Sequence, residues 1–378
     1  MTHTLTEQER KSMNDRGQLH QGNLTRIRRV MRKAQEGKDL TIGFVGGSIT
    51  AGSLASKPEK CYAAHVFQWW KNHFPKSHMT YINAGVGATS SQFAVARVEE
   101  ELLRFHPDFV IAEFSVNDQD NDFYKETYEG LIRRILLHPA EPALFLFNNV
   151  FYDDGHNAQR VHNEVAAYYD LPVVSMKESI YEEVKKGTLR GEEITPDQLH
   201  PNDYGHELVA GVILQRLDDI YQSLDQYQDP APTYTIPGNT LTANRFFASI
   251  RLSNINTTPN MYGFLTDKEA KAGCWDVFRG GWYGYRRGDR ICFQVTASLI
   301  SIQYRKYAKH PAPIALAVLD GDEGQASVLD ANFRETWGDC LYLQDIKLSG
   351  ERGYHTLEIR IQEEAEEKAF YLASVIIA

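Results

Sequence analysis

The chain has 378 residues, 42% of them hydrophobic and 24% charged, and 40 Lys+Arg against 50 Asp+Glu leave a net charge of -10. These proportions exclude a mainly disordered chain, a collagen-like chain and a disulfide-dense miniprotein, and length alone predicts about two domains. An acidic surface repels phosphate backbones and anionic lipid, so neither nucleic acid nor a membrane is an expected partner.

The stretch from Met1 to Gln21 is polar and lacks a signal-peptide core, and no apolar run reaches the roughly 18 residues of a spanning helix. A cytoplasmic location is the expectation. From Asn23 to Lys38 a basic helix follows, with Leu24, Ile27, Val30 and Met31 on one stripe. Strand and helix signals then alternate. Strands are predicted at Leu40–Val45, Met79–Ala84, Asp108–Phe114, Ala143–Val150 and Pro172–Met176. Helices are predicted at Tyr62–Phe74, Ser91–Phe105 (Arg and Glu on its outer face), Tyr124–Leu137, Val161–Tyr169 and His206–Leu224. Five short apolar strands separated by helices predict βαβ units and a parallel sheet covered on both faces. Ligands then bind beyond the carboxyl ends of the strands.

Near Gln226 the texture changes. Asp229-Pro230-Ala231-Pro232 and Pro237-Gly238-Asn239 read as a linker, which sets domains at 1–228 and 229–378. Beyond it, β-like runs at Phe246–Leu252, Arg290–Val295, Leu299–Tyr304, Ile314–Leu319, Cys340–Leu343, His355–Ile361 and Phe370–Ile377 predict an all-β sandwich. The acidic run Glu363–Glu367 reads as a solvated turn. Cys61, Cys274, Cys292 and Cys340 have no paired metal spacing and read as small core residues.

Two glycine-rich segments are misleading. Gly47 to Ser53 resembles a phosphate loop but has Ser53 where the loop needs Lys, and Gly85 to Ser90 lacks the third glycine of a dinucleotide fingerprint. An α/β-hydrolase elbow would require Gly where Thr50 stands.

Four other blocks do fit together. Gly46-Gly47-Ser48 follows the first strand, Asn83-Ala84-Gly85-Val86-Gly87 the second, and Ser115-Val116-Asn117-Asp118 the third. Asp197-Gln198-Leu199-His200-Pro201 precedes the last helix. They supply a complete acyl-transfer set: a hydroxyl in a Gly-flanked turn (Ser48), a base (His200) and a carboxylate to orient it (Asp197). The candidate donors for a developing oxyanion are the N–H groups of Ser48 and Gly87 and the amide of Asn117. Read alone, Ser48 is a helix cap and His200 an ordinary histidine; together the blocks favour catalysis. Asp118 reads as a brace for the Asn117 loop, His206 as structural, Asn83 as a hydrogen-bonding prop for the turn beneath the site, and the Trp69-Trp70 pair as helix packing.

In order and spacing the blocks resemble those of the SGNH (GDSL-type) hydrolases over roughly Leu40 to Leu224. The resemblance implies a flavodoxin-like three-layer α/β/α fold and serine esterase chemistry with a Ser48, Asp197, His200 triad, an oxyanion hole of Ser48, Gly87 and Asn117, and no metal or cofactor. The family's usual Asp before the nucleophile is Gly47 here, and the glycine block is one residue short, which leaves Gly85 as a rival to Gly87. An SGNH domain followed by a β-sandwich resembles the bacterial mannan-oligosaccharide acetylesterases, whose second domain is like a carbohydrate-binding module. That implies an acetylated oligosaccharide as the partner, with deacetylation of β-manno-oligosaccharides as the activity. Other acetylated sugars, a thioesterase or small-lipid esterase, and a non-catalytic sugar-binding protein are the competing readings. In the second domain Gly280 to Tyr285 reads as a turn tip, and Trp282, Tyr283 and Trp337 are candidate sugar contacts. The sequence leaves oligomeric state open, a homodimer included.

Overall fold

The computed structural model describes residues 5–227 and 234–378, which fall into two compact units divided between Phe247 and Ala248. The expected boundary at 228/229 and the Asp229–Pro232 part of the linker lie outside the described residues. From Tyr234 to Phe247 the chain belongs to the first unit. The reason is a set of buried carboxylates on one helix. Glu129 accepts from the N–H groups of Leu241 and Thr242 at 2.7 Å, and Glu126 accepts from the Arg245 N–H at 2.7 Å.

The first unit opens with α1 (Glu7–Arg16), β1 (Gln18–His20) and α2 (Thr25–Gln35). It continues with β2 (Leu40–Gly46), α3 (Ser48–Ala51), α4 (Tyr62–His73), β3 (Met79–Gly85) and α5 (Ser91–Glu101). Next come β4 (Phe109–Glu113), α6 (Asp122–Leu136), β5 (Ala143–Asn148), α7 (Gln159–Tyr168) and β6 (Val173–Ser175). The short helices α8 (Glu182–Lys186) and α9 (Gly191–Ile194) lead to α10 (Asp203–Gln222). The sheet order is β1-β6-β5-β4-β2-β3. Strands β2 to β6 are parallel, as the apolar runs predict, and β1 pairs antiparallel with β6 at the edge. Helices α5, α6 and α7 pack together, as do α1, α2, α4 and α10, giving the α/β/α layering. Every residue of β4 and β5 is buried, so these strands carry near-continuous apolar sequence.

Two expectations change in this unit, and one segment with no predicted element gains two. The polar start contains α1 and β1, whose pairing partner lies about 150 residues away in β6. Arg97, placed by periodicity on the outer face of its helix, is fully buried and bonds to backbone carbonyls. Phe246 does not begin a strand: Arg245–Ala248 is a 3-10 turn, and Phe246 packs edge-on against Phe123 with centroids 5.4 Å apart.

The second unit is an antiparallel sandwich. Its strands are β7 (Ile250–Leu252), β8 (Asn260–Tyr262), β9 (Leu265–Thr266), β10 (Trp282–Gly284), β11 (Arg290–Ala297) and β12 (Ile300–Lys306). They are followed by β13 (Ile314–Leu319), β14 (Ser327–Asp330), β15 (Cys340–Lys347), β16 (Gly353–Glu363) and β17 (Phe370–Ile377). One sheet runs β15-β12-β17-β10-β9 with β7 on β17, and the other runs β14-β13-β16-β11-β8. In β11 burial alternates strictly, and Ile291, Phe293, Val295 and Ala297 share one buried cluster with Leu357 and Ile359 of the paired strand β16 and with Ile302 and Leu372 of the other sheet. The predicted turn tip at 280–285 is instead largely strand β10. It pairs with β9 and β17 and turns Trp282 into the core.

Candidate active site

Sheet order brings the site together. Strand β2 lies between β4 and β3, and Gly46 is the register partner of both Gly85 and Glu113. The segments leaving these three strands therefore emerge side by side, and they carry Ser48, Gly87 and Asn117. Ser48 starts α3 directly after Gly47, which takes the N-cap position. The little helix is held from below. Asn83 donates to the Thr50 carbonyl at 2.7 Å, as expected of a prop, and Thr50 Oγ1 bonds to the buried Tyr62 hydroxyl at 2.8 Å.

The Ser48 hydroxyl lies 2.8 Å from His200 Nε2, and His200 Nδ1 lies 2.6 Å from Asp197 Oδ2. A carboxylate only accepts, so Nδ1 carries the proton and Nε2 is left as the acceptor for Ser48. Asp197 Oδ1 takes the N–H groups of Leu199 and His200 and the Thr195 hydroxyl, which fixes the loop as an Asx turn. Partial burial raises the Asp197 pKa, but the His200 side-chain bond and these backbone bonds outweigh it and hold the carboxyl below its usual range. Gln198 adopts a left-handed φ of 66°, and its carbonyl accepts from the Tyr152 N–H at 2.7 Å. That bond ties the loop to the segment after β5. His206 is structural, as expected: it is buried, its Nδ1 accepts from the Tyr62 N–H, and burial pushes its pKa down to about 4.

The two rival glycines have different surroundings. Gly85 donates its N–H to Asn83 Oδ1 at 2.9 Å, and a Cβ there would stand 2.3 Å from the Ala51 backbone N. Gly85 is the place where α3 crosses the strand. Gly87 is exposed, and a Cβ on it would meet only the Ser48 Cβ, at 3.7 Å. Asn117 packs against Gly47, its Oδ1 2.1 Å from where a Gly47 Cβ would be. Its loop is braced by Asp118, which accepts from the Ser91 N–H at 2.9 Å and pairs with the buried His162 at 3.0 Å.

Sequence reasoning missed the buried groups behind this loop. Glu113 accepts from the N–H and hydroxyl of Ser115 at 2.8 and 2.9 Å, and the same hydroxyl reaches the Asn149 carbonyl. Complete burial pushes the Glu113 carboxyl up to about 7, against the opposing pull of the Ser115 bonds. The position gave no signal, because an acid closing an apolar strand reads as a surface residue. The Cys61 thiol, buried beside α3, is pushed up to about 11, which makes it a poor nucleophile. Among the described residues one group, the exposed Asp153, Asp154 and His156, brings possible metal-ligating atoms within 4.8 Å of one another.

The sugar-contact candidates of the second unit separate. Trp282 is 1% exposed and packs edge-on against Phe293, so it is a core residue and not a platform. Tyr283 lines a cleft of about 920 Å³ with Tyr285, Tyr307, Arg279 and Arg305. Trp337 is 61% exposed, with one edge against Phe333.

Residues 44–208 match the family described as GDSL-like Lipase/Acylhydrolase. A solved two-domain esterase active on acetylated mannans is 48% identical to this chain, covering 96% of it and 97% of its own length with a TM-score of 0.92. The form of such an esterase co-crystallised with mannopentaose is 47% identical, with the same coverage and a TM-score of 0.91. The acetylxylan esterase of Geobacillus stearothermophilus is 23% identical over 205 residues, which is 46% of this chain and 92% of that protein. A likeness that runs through both units at this identity fixes the assignment: the chain belongs to the SGNH, or GDSL-like lipase/acylhydrolase, family, beside its two-domain carbohydrate esterases.

Proposed function

We propose that the protein is a serine esterase that removes O-acetyl groups from β-manno-oligosaccharides through an acyl-enzyme on Ser48. The observation that carries this reading is the whole-length likeness to a two-domain esterase active on acetylated mannans, second domain included. The hydrogen-bonded chain Asp197, His200, Ser48 supports the chemistry. In the first step Ser48 Oγ attacks the acetyl carbonyl as His200 Nε2 takes its proton. Asp197 stabilises the imidazolium. The Ser48 and Gly87 N–H groups and the Asn117 amide receive the negative oxygen. Gly85 is unsuited to that role, since its N–H is already donated. His200 then returns the proton to the departing sugar hydroxyl. In the second step His200 activates water, which frees acetate and restores Ser48. Tyr283 and Trp337 offer apolar ring faces for sugar C–H surfaces.

The test is acetate release from acetylated manno- and xylo-oligosaccharides in parallel, with Ser48→Ala as control. Release from the manno series, lost in the variant, supports substrate and nucleophile together. Release confined to the xylo series overturns the substrate, and release that survives in Ser48→Ala overturns the nucleophile.

A further inference from the structure

The two backbone donors assigned to the oxyanion come from different strands, so their separation depends on something that fixes β2 against β3 at their carboxyl ends. Both strands stop there. Beyond Gly46 and Gly85 the chain turns into α3 on one side and into the Gly87 loop on the other. One buried side chain bridges the two ends. Arg97, on α5, has no exposed side-chain surface. Its guanidinium donates to the Ala84 carbonyl at 2.7 Å and to the Gly46 carbonyl at 3.1 Å. The Gly46 carbonyl also receives the Val86 N–H at 3.0 Å. That oxygen is thus a shared anchor: Ser48 lies two residues after it in the chain, and Gly87 is the neighbour of the residue bonded to it.

The choice of residue is informative. A buried cation is expensive unless paired, and here Glu101, whose side chain is 6% exposed, accepts from Arg97 at 2.6 Å. An apolar side chain would fill the space under the sheet without that cost. What it cannot do is hold two carbonyls from two strands at a fixed spacing, which a planar guanidinium fork does.

We propose that Arg97 is the positioning residue of the oxyanion hole, locking the Ser48 turn to the Gly87 loop through the Gly46 and Ala84 carbonyls. The proposal rests on the roles given above to Ser48 and Gly87. It touches no substrate atom, so its effect falls on the transition state and not on substrate affinity.

The experiment uses the full-length protein with Arg97→Lys and Arg97→Met. An organophosphate ester, followed to its endpoint, counts competent sites, and mass spectrometry of the adduct reports whether Ser48 carries it. Turnover of p-nitrophenyl acetate is then expressed per titrated site. The expected result is a kcat lower by about tenfold in Arg97→Lys and about a hundredfold in Arg97→Met, with KM within twofold of the parent. Affinity for a trifluoromethyl ketone, which forms an oxyanion adduct, falls by the same factors. A role in folding alone lowers thermal stability and the number of titratable sites and leaves turnover per site within threefold of the parent, which overturns the proposal. If Arg97→Met does not fold, Arg97→Lys decides by itself, since it keeps the charge facing Glu101 and reaches only one carbonyl. An adduct on a residue other than Ser48 removes the underlying reading and is recognised separately.

Discussion

Gly47 and Asn117 are in a contact that no side chain at position 47 would permit, because a Cβ there would stand 2.1 Å from Asn117 Oδ1. Asn117 cannot easily retreat. Its neighbour Asp118 is held by Ser91 and His162, and Ser115 by Glu113. The family's usual aspartate is therefore sterically excluded here, and glycine lets the Asn117 side chain pack on the turn that leads into Ser48. Gly47→Ala is expected to lower kcat on acetyl esters about a hundredfold. Asn117→Ala should cost about 2.7–4 kcal/mol of barrier, the usual worth of one oxyanion donor. The double variant should be no slower than the worse single one, since both act on the same donor. A Gly47→Ala enzyme within threefold of the parent would mean that Asn117 is placed by something else.

The two rival glycines should respond in opposite ways. Gly85→Ala drives a methyl to 2.3 Å from the Ala51 backbone and should cost about 1–3 kcal/mol of stability, read from denaturant unfolding. Gly87→Ala meets only the Ser48 Cβ at 3.7 Å, so stability should stay within about 0.5 kcal/mol while kcat/KM drops at least tenfold. Equal losses of stability would remove the distinction between a packing glycine and a site glycine.

Asp197→Asn keeps the shape of the 197–200 loop, because an amide oxygen can still accept the backbone bonds. It replaces the acceptor at His200 Nδ1 with a group that can donate, which favours the wrong tautomer. The expected fall in kcat is about 10²- to 10⁴-fold with little change in melting temperature, since Asp197 is an exposed residue. A change smaller than tenfold would take Asp197 out of the triad.

Glu113 makes the pH dependence of stability specific. Its folded pKa is raised to about 7 from the ordinary 4.5, so the folded protein holds a proton there that the unfolded chain releases. Stability from this group is present at pH 4.5 and is lost as pH rises towards 7. A rise of that size corresponds to about 3 kcal/mol. Glu113→Gln mimics the protonated form, so its stability relative to the parent should rise between pH 4.5 and 8 by about that amount. A difference that stays constant across the range would show that Glu113 does not titrate there.

Much of the fold follows from local pattern. The five parallel strands lie where the apolar runs predict them, with ends shifted by one or two residues. The Ser48, Asn117 and Asp197–His200 blocks sit after strand ends or before a helix because turns and caps are encoded by a few neighbouring residues. Less was legible in the sandwich. Strand β10 hides in a glycine-rich stretch, and the core position of Trp282 follows only from its pairing with β9 and β17, which turns the ring onto Phe293. Likewise β1 is only three residues, Gln18-Leu19-His20, that become a strand by pairing with β6.

The amino-acid sequence by itself determined the chemical inventory and its order: a serine in a tight turn, an amide after a strand, and a carboxylate three residues before a histidine. Tertiary structure alone decided which of these groups meet. Ser48 and His200 are 152 residues apart and come within 2.8 Å because the sheet order puts β2 between β3 and β4 and α10 brings its leading loop over them. Burial was decided in the same way. Whether Arg97 is a surface charge or a clamp, and whether Trp282 is a platform or core, depends on what packs against each from distant parts of the chain, and local periodicity carries no record of that.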